Sequence, residues 1–158
     1  MRVRFIAFGI SLFIFAAFLF GCLGPTAPSS EKPDLTCKSL MMGDASIITL
    51  EQARTTDEIT KGLSNRDSLC KSCGMLFTFE KPAIYQFWMK DMRFPLDIVF
   101  MDKDFRVIYV SQNAQPCPLQ GECPLITPPS QVKYVLEVNA GYVADHTLVP
   151  NSFVACVP

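Results

Sequence analysis

Short runs of alternating apolar and polar residues follow one another along most of the chain, and they predict a mainly β protein. Val, Ile, Phe and Tyr dominate these runs, as is typical of strands. Seven strands are predicted, at "SIITLEQA", "MLFTF", "IYQFWM", "DIVFM", "FRVIYVS", "VKYVLEV" and "SFVACV". One short helix is predicted at "TTDEITKGLSN", because Thr55 and Glu58 have the spacing of a capping box and Gly62 or Asn65 could end it. The pattern predicts a single-domain antiparallel β-sandwich or barrel.

The first 36 residues lack this pattern and predict export. Arg2 and Arg4 precede an uncharged run over residues 5–20. As a helix this run would be about 24 Å long, short of the roughly 30 Å hydrocarbon core, so residues 1–21 are interpreted as a secretory signal. "LFGC" resembles a lipobox, which predicts a lipid on Cys22; an uncleaved anchor is the alternative.

The composition of residues 22–36 predicts a flexible tether, because Pro, Ser and Gly with scattered charges bury little apolar surface. Residues 37–158 are then the folded domain, held by the lipid at the extracytoplasmic face of a membrane. The chain has 14 basic and 15 acidic residues and no basic stripe. Nucleic acid is therefore not an expected partner, and we expect no cofactor.

The six remaining cysteines predict disulfides, as an even number does in a small exported domain. Six cysteines allow 15 pairings in principle. Local pairs within single loops are favoured, which leaves the outer two to join the first and last strands: Cys70–Cys73, Cys117–Cys123 and Cys37–Cys156. The alternative is a zinc site formed by the four inner thiolates. Export argues against zinc, so no metal is predicted.

The richest candidate chemistry lies in "FWMKDMRFPLDIVFMDKD", residues 87–104. A strand, a tight turn and a second strand are predicted here, with Trp88 and Lys90 on one face because they alternate. An aromatic face beside a cation and carboxylates suits a polar ligand such as a sugar or peptide. The ligand-binding hypothesis names Arg66, Trp88, Lys90, Asp91 and Asp97. Two structural alternatives are that Trp88 packs beneath the loop 112–130 and that Asp97 stabilises the turn.

Three classes of function remain open. The first is a ligand- or partner-binding accessory module, whose partner is a small polar ligand or an envelope protein. The second is a hydrolase that uses Arg66, Asp91 and Asp97 on envelope glycans or peptides; His146 is the one histidine and is expected to be exposed. The third is a structural envelope protein. Glu137 is predicted to be an exposed strand residue or, if buried, the partner of a cation such as Arg66.

Three blocks carry a family resemblance: "GLSNRDSLCKSCGMLFTF", "FWMKDMRFPLDIVFMDKDFRVIYV" and "VLEVNAG". In order and spacing they resemble the motifs of the domain-of-unknown-function 192 family, over residues 45 to about 157. The resemblance implies a compact, mostly β domain and no particular activity. The chain departs from the family pattern at Ser64, where Met is usual, and at Asp91-Met92, where Asn-Thr is usual. Its cysteine pairs are also not general to the family.

Overall fold

The computed structural model describes residues 37–118 and 120–158, and these form one seven-stranded sheet that curls into a half-barrel. The strands are β1 Ser39–Met41, β2 Ile47–Ala53, β3 Cys73–Ala83, β4 Leu96–Met101, β5 Val107–Ala114, β6 Val132–Asn139 and β7 Ala155–Val157. Their order across the sheet is β5-β4-β6-β3-β2-β1-β7. The mainly β, single-domain prediction is confirmed. The predicted signal, the lipidation site Cys22 and the tether lie outside the described residues.

The sheet is antiparallel except at one pair, since β2 and β3 run parallel. A parallel pair needs a crossover connection, and the helix α1 Thr56–Lys61 lies in it. Its capping box is formed as predicted: the Glu58 amide donates to Thr55 Oγ1 and the Thr55 amide donates to Glu58 Oε2. The helix ends at Gly62, whose amide donates to the Glu58 carbonyl. A second helix, α2 Tyr142–Asp145, follows β6 where only a break was predicted.

One predicted strand is wrong, because residues 84–89 do not join the sheet. The strands on either side of this segment, β3 and β4, already have neighbours along both edges. Only an isolated bridge forms, between Phe87 and Ile126 in the loop after β5. The strand β1 was not predicted; it lies between β2 and β7 in the sheet. The hairpin expected at residues 87–104 is therefore replaced by a loop followed by β4.

Both faces of the sheet are buried, and the register fixes which side chains share a face. Leu76, Leu136 and Val99 form one row across β3, β6 and β4, and belong to the first core. Phe77, Val135 and Phe100 form the adjacent row and belong to the second core. Side chains alternate along a strand, so these rows point to opposite faces. The second face carries the candidate site.

The six cysteines of the domain are paired at disulfide distance. The Cα atoms are 5.4 Å apart in Cys37–Cys156 and 5.1 Å apart in both Cys70–Cys73 and Cys117–Cys123. These separations fall in the usual disulfide range, and the pairing agrees with the one favoured from the sequence. Cys156 lies opposite Leu40 in the β1–β7 pair, so the Cys37–Cys156 disulfide joins the residues before β1 to β7. Among the described helices, none is long and apolar enough to cross a membrane.

Candidate functional site

A cleft of about 250 Å³ lies on the second face of the sheet, beneath α1. We call it the α1 cleft and define it by α1 and the turn after it (59–64), by residues 85–88 with Met92, and by the sheet side chains Phe77, Phe79 and Glu137. Five aromatic side chains contribute to its walls: Phe77, Phe79, Tyr85, Phe87 and Trp88. The cleft therefore combines an apolar wall with one acidic group.

The aromatic wall is a packed cluster. Tyr85 stacks on Phe79 with ring centroids 3.5 Å apart. Phe87 meets Phe77 and Phe100 edge to face, at 5.1 and 5.6 Å. Such perpendicular pairs are favoured by the ring quadrupoles, so the wall is held by mutual contacts. Phe87, although outside the sheet, anchors the segment that carries Trp88.

Trp88 borders the cleft and is 51% exposed. Lys90 Nζ lies 5.5 Å from the centroid of its ring, within the usual cation–π range. Burial alternates here as predicted, since Phe87 and Met89 are at least partly buried while Trp88 and Lys90 are exposed. The bridge to the loop 112–130 is made by Phe87, and the Met89 carbonyl accepts from the Cys117 amide. The backbone hydrogen bonds between this segment and the loop are thus made by Phe87 and Met89, while Trp88 is half exposed.

Glu137 supplies the acidic group, from the middle of β6. It pairs with Met75 on β3 and with Ile98 on β4, so apolar side chains flank it on both sides. The residue is 6% exposed, and its Oε2 atom has no hydrogen-bond partner among the described residues. Burial raises the pKa of this carboxyl to about 8, against an opposing effect of the nearby Arg66 charge. This carboxyl is therefore mainly protonated at neutral pH.

The turn at Gly62 closely approaches this carboxyl. Its φ of +47° is a conformation that residues with a Cβ rarely adopt. A Cβ atom at this position would lie 3.2 Å from Phe77 Cζ and 3.8 Å from Glu137 Oε2. Glycine is thus required both by the backbone at the end of α1 and by the close approach of that turn to the cleft floor.

Arg66 does not bind Glu137 directly. Its guanidinium donates two hydrogen bonds to the Glu51 carboxylate on β2, with distances of 2.5 and 2.7 Å. This bond raises the pKa of Arg66 and lowers the pKa of Glu51. The predicted partnership of Arg66 with a buried Glu137 exists only as an attraction through space. The guanidinium is already neutralised by an acid outside the cleft.

The main chain of Lys90 and Asp91 fixes the loop that carries Trp88. Ser64 Oγ donates to the Lys90 carbonyl and the Asn65 amide donates to the Asp91 carbonyl. Asp91 adopts a φ of +58°, which lets the chain turn here. Both side chains are exposed. Their part in ligand binding, like that of Arg66 and Trp88, stays a prediction.

The structure does not bring Asp97 to the α1 cleft. Asp97 is the second residue of β4 and lies on the opposite face from Ile98, the neighbour of Glu137. It is 1% exposed and accepts hydrogen bonds from the amides of Asn113 and Val143, at 2.7 and 2.9 Å. β4 begins at Leu96, so Asp97 lies near the start of the strand, two residues after Pro95. Asp97 links β4 to β5 and α2, which agrees with a structural role through backbone amides.

His146 is also placed differently from the exposed loop position that was expected. Its Nδ1 atom lies 2.9 Å from Ser46 Oγ and 2.8 Å from Asp44 Oδ2. A serine–histidine–aspartate relay uses the two different ring nitrogens, whereas here both partners meet the same one. The cluster therefore does not activate a nucleophile, and nothing among the described residues supports a hydrolase.

Sequence reasoning missed Glu137 and Gly62 as parts of one site. The signal for Glu137 was present, since an acidic residue interrupts the apolar pattern of "VLEV". Its burial depends on strands on both sides, which a single strand pattern does not reveal. Gly62 was identified only as the end of α1. Its place beside the carboxyl follows from the parallel crossover, which was not predicted.

Comparison with protein families gives a match to the domain of unknown function DUF192, described as an "Uncharacterized ACR", over residues 39–155. The chain belongs to this family, as its motifs predicted. A comparison with curated protein sequences finds no match.

Two solved structures share the fold. A protein of unknown function from Novosphingobium aromaticivorans DSM 12444 is 30% identical, with a TM-score of 0.66, and the match covers 74% of this chain and 81% of that chain. A protein from Sinorhizobium meliloti 1021, named as a proposed transcription regulator, is 28% identical, with a TM-score of 0.67, and the match covers 75% of this chain and 90% of that chain. These likenesses support the fold and leave the activity open.

Proposed function

We propose that the domain is a binding module that takes a small ligand into the α1 cleft. The observation that carries this proposal is the buried Glu137 Oε2 atom, which has no hydrogen-bond partner among the described residues and lies beside an aromatic wall. A buried polar group without a hydrogen bond costs free energy, and the great majority of such groups in proteins have a partner. A ligand that hydrogen-bonds to Glu137 would remove this cost. Clefts with apolar walls and a few polar groups are the usual form of small-molecule sites.

The proposal includes an exported, lipid-anchored protein that presents this module outside the cell membrane as an accessory component. The basic start, the apolar run and "LFGC" support it. The test is Cys22→Ser, with Ser30→Ala in the tether as the matched control. Cys22→Ser should release the chain or leave it unprocessed, whereas Ser30→Ala should be processed and retained. Membrane attachment and processing that are unchanged by Cys22→Ser would contradict this part of the proposal.

The cleft itself can be tested with its own fluorophore, because Trp88 is the one tryptophan of the chain. The full chain in detergent micelles is titrated with a panel of sugars, amines, carboxylates and short peptides while Trp88 emission is recorded. At least one class should produce a saturable change. Thr60→Phe, which places a ring from α1 into the cleft, should abolish the change. Thr56→Phe, one helical turn earlier and outside the cleft lining, is the control.

The binding proposal fails if no member of the panel changes the emission. It also fails if the change persists unaltered in Thr60→Phe while that variant remains folded by circular dichroism.

A further inference from the structure

We infer that the ligand of the α1 cleft presents a protonated amine on an apolar or aromatic body, with its N–H groups donating to the Glu137 carboxylate. This inference rests on the proposed binding function and names its ligand class. It is carried by three features of the cleft: which polar groups are still available, what the walls are made of, and where the neighbouring charges lie.

The hydroxyl donors of the cleft are in use, as is one N–H donor of Gln86. Each of these side chains donates a hydrogen bond within the protein: Thr60 to the Thr56 carbonyl, Ser64 to the Lys90 carbonyl, Tyr85 to the Lys81 carbonyl and Gln86 to Thr127 Oγ1. Of the cleft's two charged side chains, Lys61 is exposed and Glu137 is buried. The carboxyl of Glu137 is thus the principal group left for recognition at the floor of the cleft.

A carboxyl in this position is best complemented by a cation with N–H donors. An ammonium group supplies several donors and forms charge-assisted hydrogen bonds, which are about twice as strong as neutral ones. A carbonyl ligand would accept one bond from the protonated carboxyl and leave the other oxygen without a donor. A carboxylate ligand would meet a group of like charge whenever Glu137 ionised.

The walls favour the same ligand class. Aromatic faces attract cations and also pack against apolar groups. The chain contains an internal example, since Lys90 Nζ already lies over the ring of Trp88. A ligand with an ammonium head and an apolar body would place the head at Glu137 and the body against the aromatic wall.

The charges around Glu137 are compatible with a cationic ligand. Arg66 is held by Glu51, so this nearby pair has no net charge. On α1, Lys61 is exposed to solvent, where its repulsion is screened. Tyr85 faces the cleft from the other wall, while the strand neighbours Met75 and Ile98 carry no charge.

Binding should be coupled to proton release. Burial holds the pKa of the free Glu137 carboxyl at about 8, so this group is mainly protonated below that pH. An ammonium ligand stabilises the ionised carboxylate and displaces its proton. Neutral and anionic ligands of the same shape have no such effect. The number of protons released on binding therefore distinguishes an ammonium ligand at Glu137 from a ligand that only packs against the apolar walls.

The experiment is calorimetry on the full chain in detergent micelles at pH 6.5, in two buffers with different ionisation enthalpies. Phenethylamine is compared with its neutral analogue 2-phenylethanol and with the anion 3-phenylpropanoate. We expect phenethylamine to bind roughly 10- to 100-fold more tightly than the alcohol, the range of a hydrogen bond to a charged group. Its binding should release close to one proton, whereas the alcohol should release none. A phenylalanyl peptide with a free amino terminus, compared with its acetylated form, distinguishes a peptide source of the amine from a free amine.

Two variants locate the effect. Glu137→Gln should remove the preference for the amine and the proton release while leaving the affinity for 2-phenylethanol similar. Glu80→Gln is the matched control, because it removes an exposed carboxylate of β3 that does not line the cleft. It should preserve both the preference and the proton release.

Tighter or equal binding of the alcohol or the anion, without proton release, would overturn the inference while the proposed binding function stands. Binding of sugars or other neutral members of the fluorescence panel, with no binding of phenethylamine, would do the same. If Glu137→Gln does not fold, the comparison of the three compounds on the wild-type chain still decides the question.

Discussion

The buried carboxyl of Glu137 predicts a specific dependence of stability on pH. Its pKa is raised to about 8 in the folded chain from an ordinary value of 4.5. The folded state therefore keeps a proton that the unfolded state loses as pH rises above about 4.5. The stabilisation is fully present below that pH, falls as the pH rises, and is lost once the pH passes the folded-state pKa. Glu137→Gln removes this proton with almost no change in shape.

The magnitude follows from the shift. Each pH unit between the two pKa values changes the free energy of unfolding by about 1.4 kcal/mol. Over the whole window the loss is on the order of 5 kcal/mol, a large part of the 5–15 kcal/mol typical of a domain. Asp44, Glu51 and Glu58 have lowered pKa values and act with the opposite sign, chiefly below this window.

The assay is urea unfolding of the full chain, followed by far-ultraviolet circular dichroism at pH 5.5, 7 and 8.5. Between the first and last pH, the wild-type chain should lose several kcal/mol relative to Glu137→Gln. Glu80→Gln should keep the wild-type slope, since it removes an exposed carboxylate of β3 outside the cleft. Parallel pH profiles for wild type and Glu137→Gln would refute the reasoning, as would a wild-type chain that gains stability relative to the variant.

Four substitutions test other parts of the domain by denaturation. Phe87→Ala should lower the free energy of unfolding by about 3 kcal/mol, because the ring packs among other aromatic side chains. Trp88→Ala should lower it by less than about 1 kcal/mol, because the side chain is half exposed. Equal losses in the two variants would make Trp88 a core residue. Gly62→Ala should cost about 1–2 kcal/mol through strain at positive φ, and an unchanged stability would contradict that strain. Asp97→Ala should cost about 2–4 kcal/mol because it leaves two amides without an acceptor, and a loss below about 0.5 kcal/mol would contradict this role.

Much of the secondary structure could be predicted because local chemistry decides it. The capping box of Thr55 and Glu58 and the β-branched and aromatic residues of β4, β5 and β6 act over a few residues. The segment 84–89 has the same kinds of residue, yet it lies outside the sheet. Strand formation also requires an unoccupied neighbouring edge, and β3 and β4 have none. This is a property of the whole topology, which one segment does not encode.

The candidate site was predicted only in part for the same reason. Trp88 was identified because an exposed aromatic residue at an alternate position is a local signal. Asp97 was grouped with it by proximity in sequence, although a single residue step places it on the opposite face of the sheet from Glu137. Glu137 and Gly62 meet only through the pairing of β6 with β3 and the crossover through α1. The composition of the site therefore depends on long-range strand pairing, which the sequence patterns do not predict.

The most direct measurement is the titration of the Glu137 side-chain carboxyl by carbon-13 nuclear magnetic resonance in the full chain, with the signal assigned by its loss in Glu137→Gln. We predict a midpoint near pH 8 for the free chain, because burial without a hydrogen-bond partner raises the pKa to about that value. Saturation with phenethylamine should move the midpoint to lower pH. A midpoint near 4.5 in the free chain would contradict a buried, unpartnered carboxyl in the α1 cleft, and with it the basis of the proposed site.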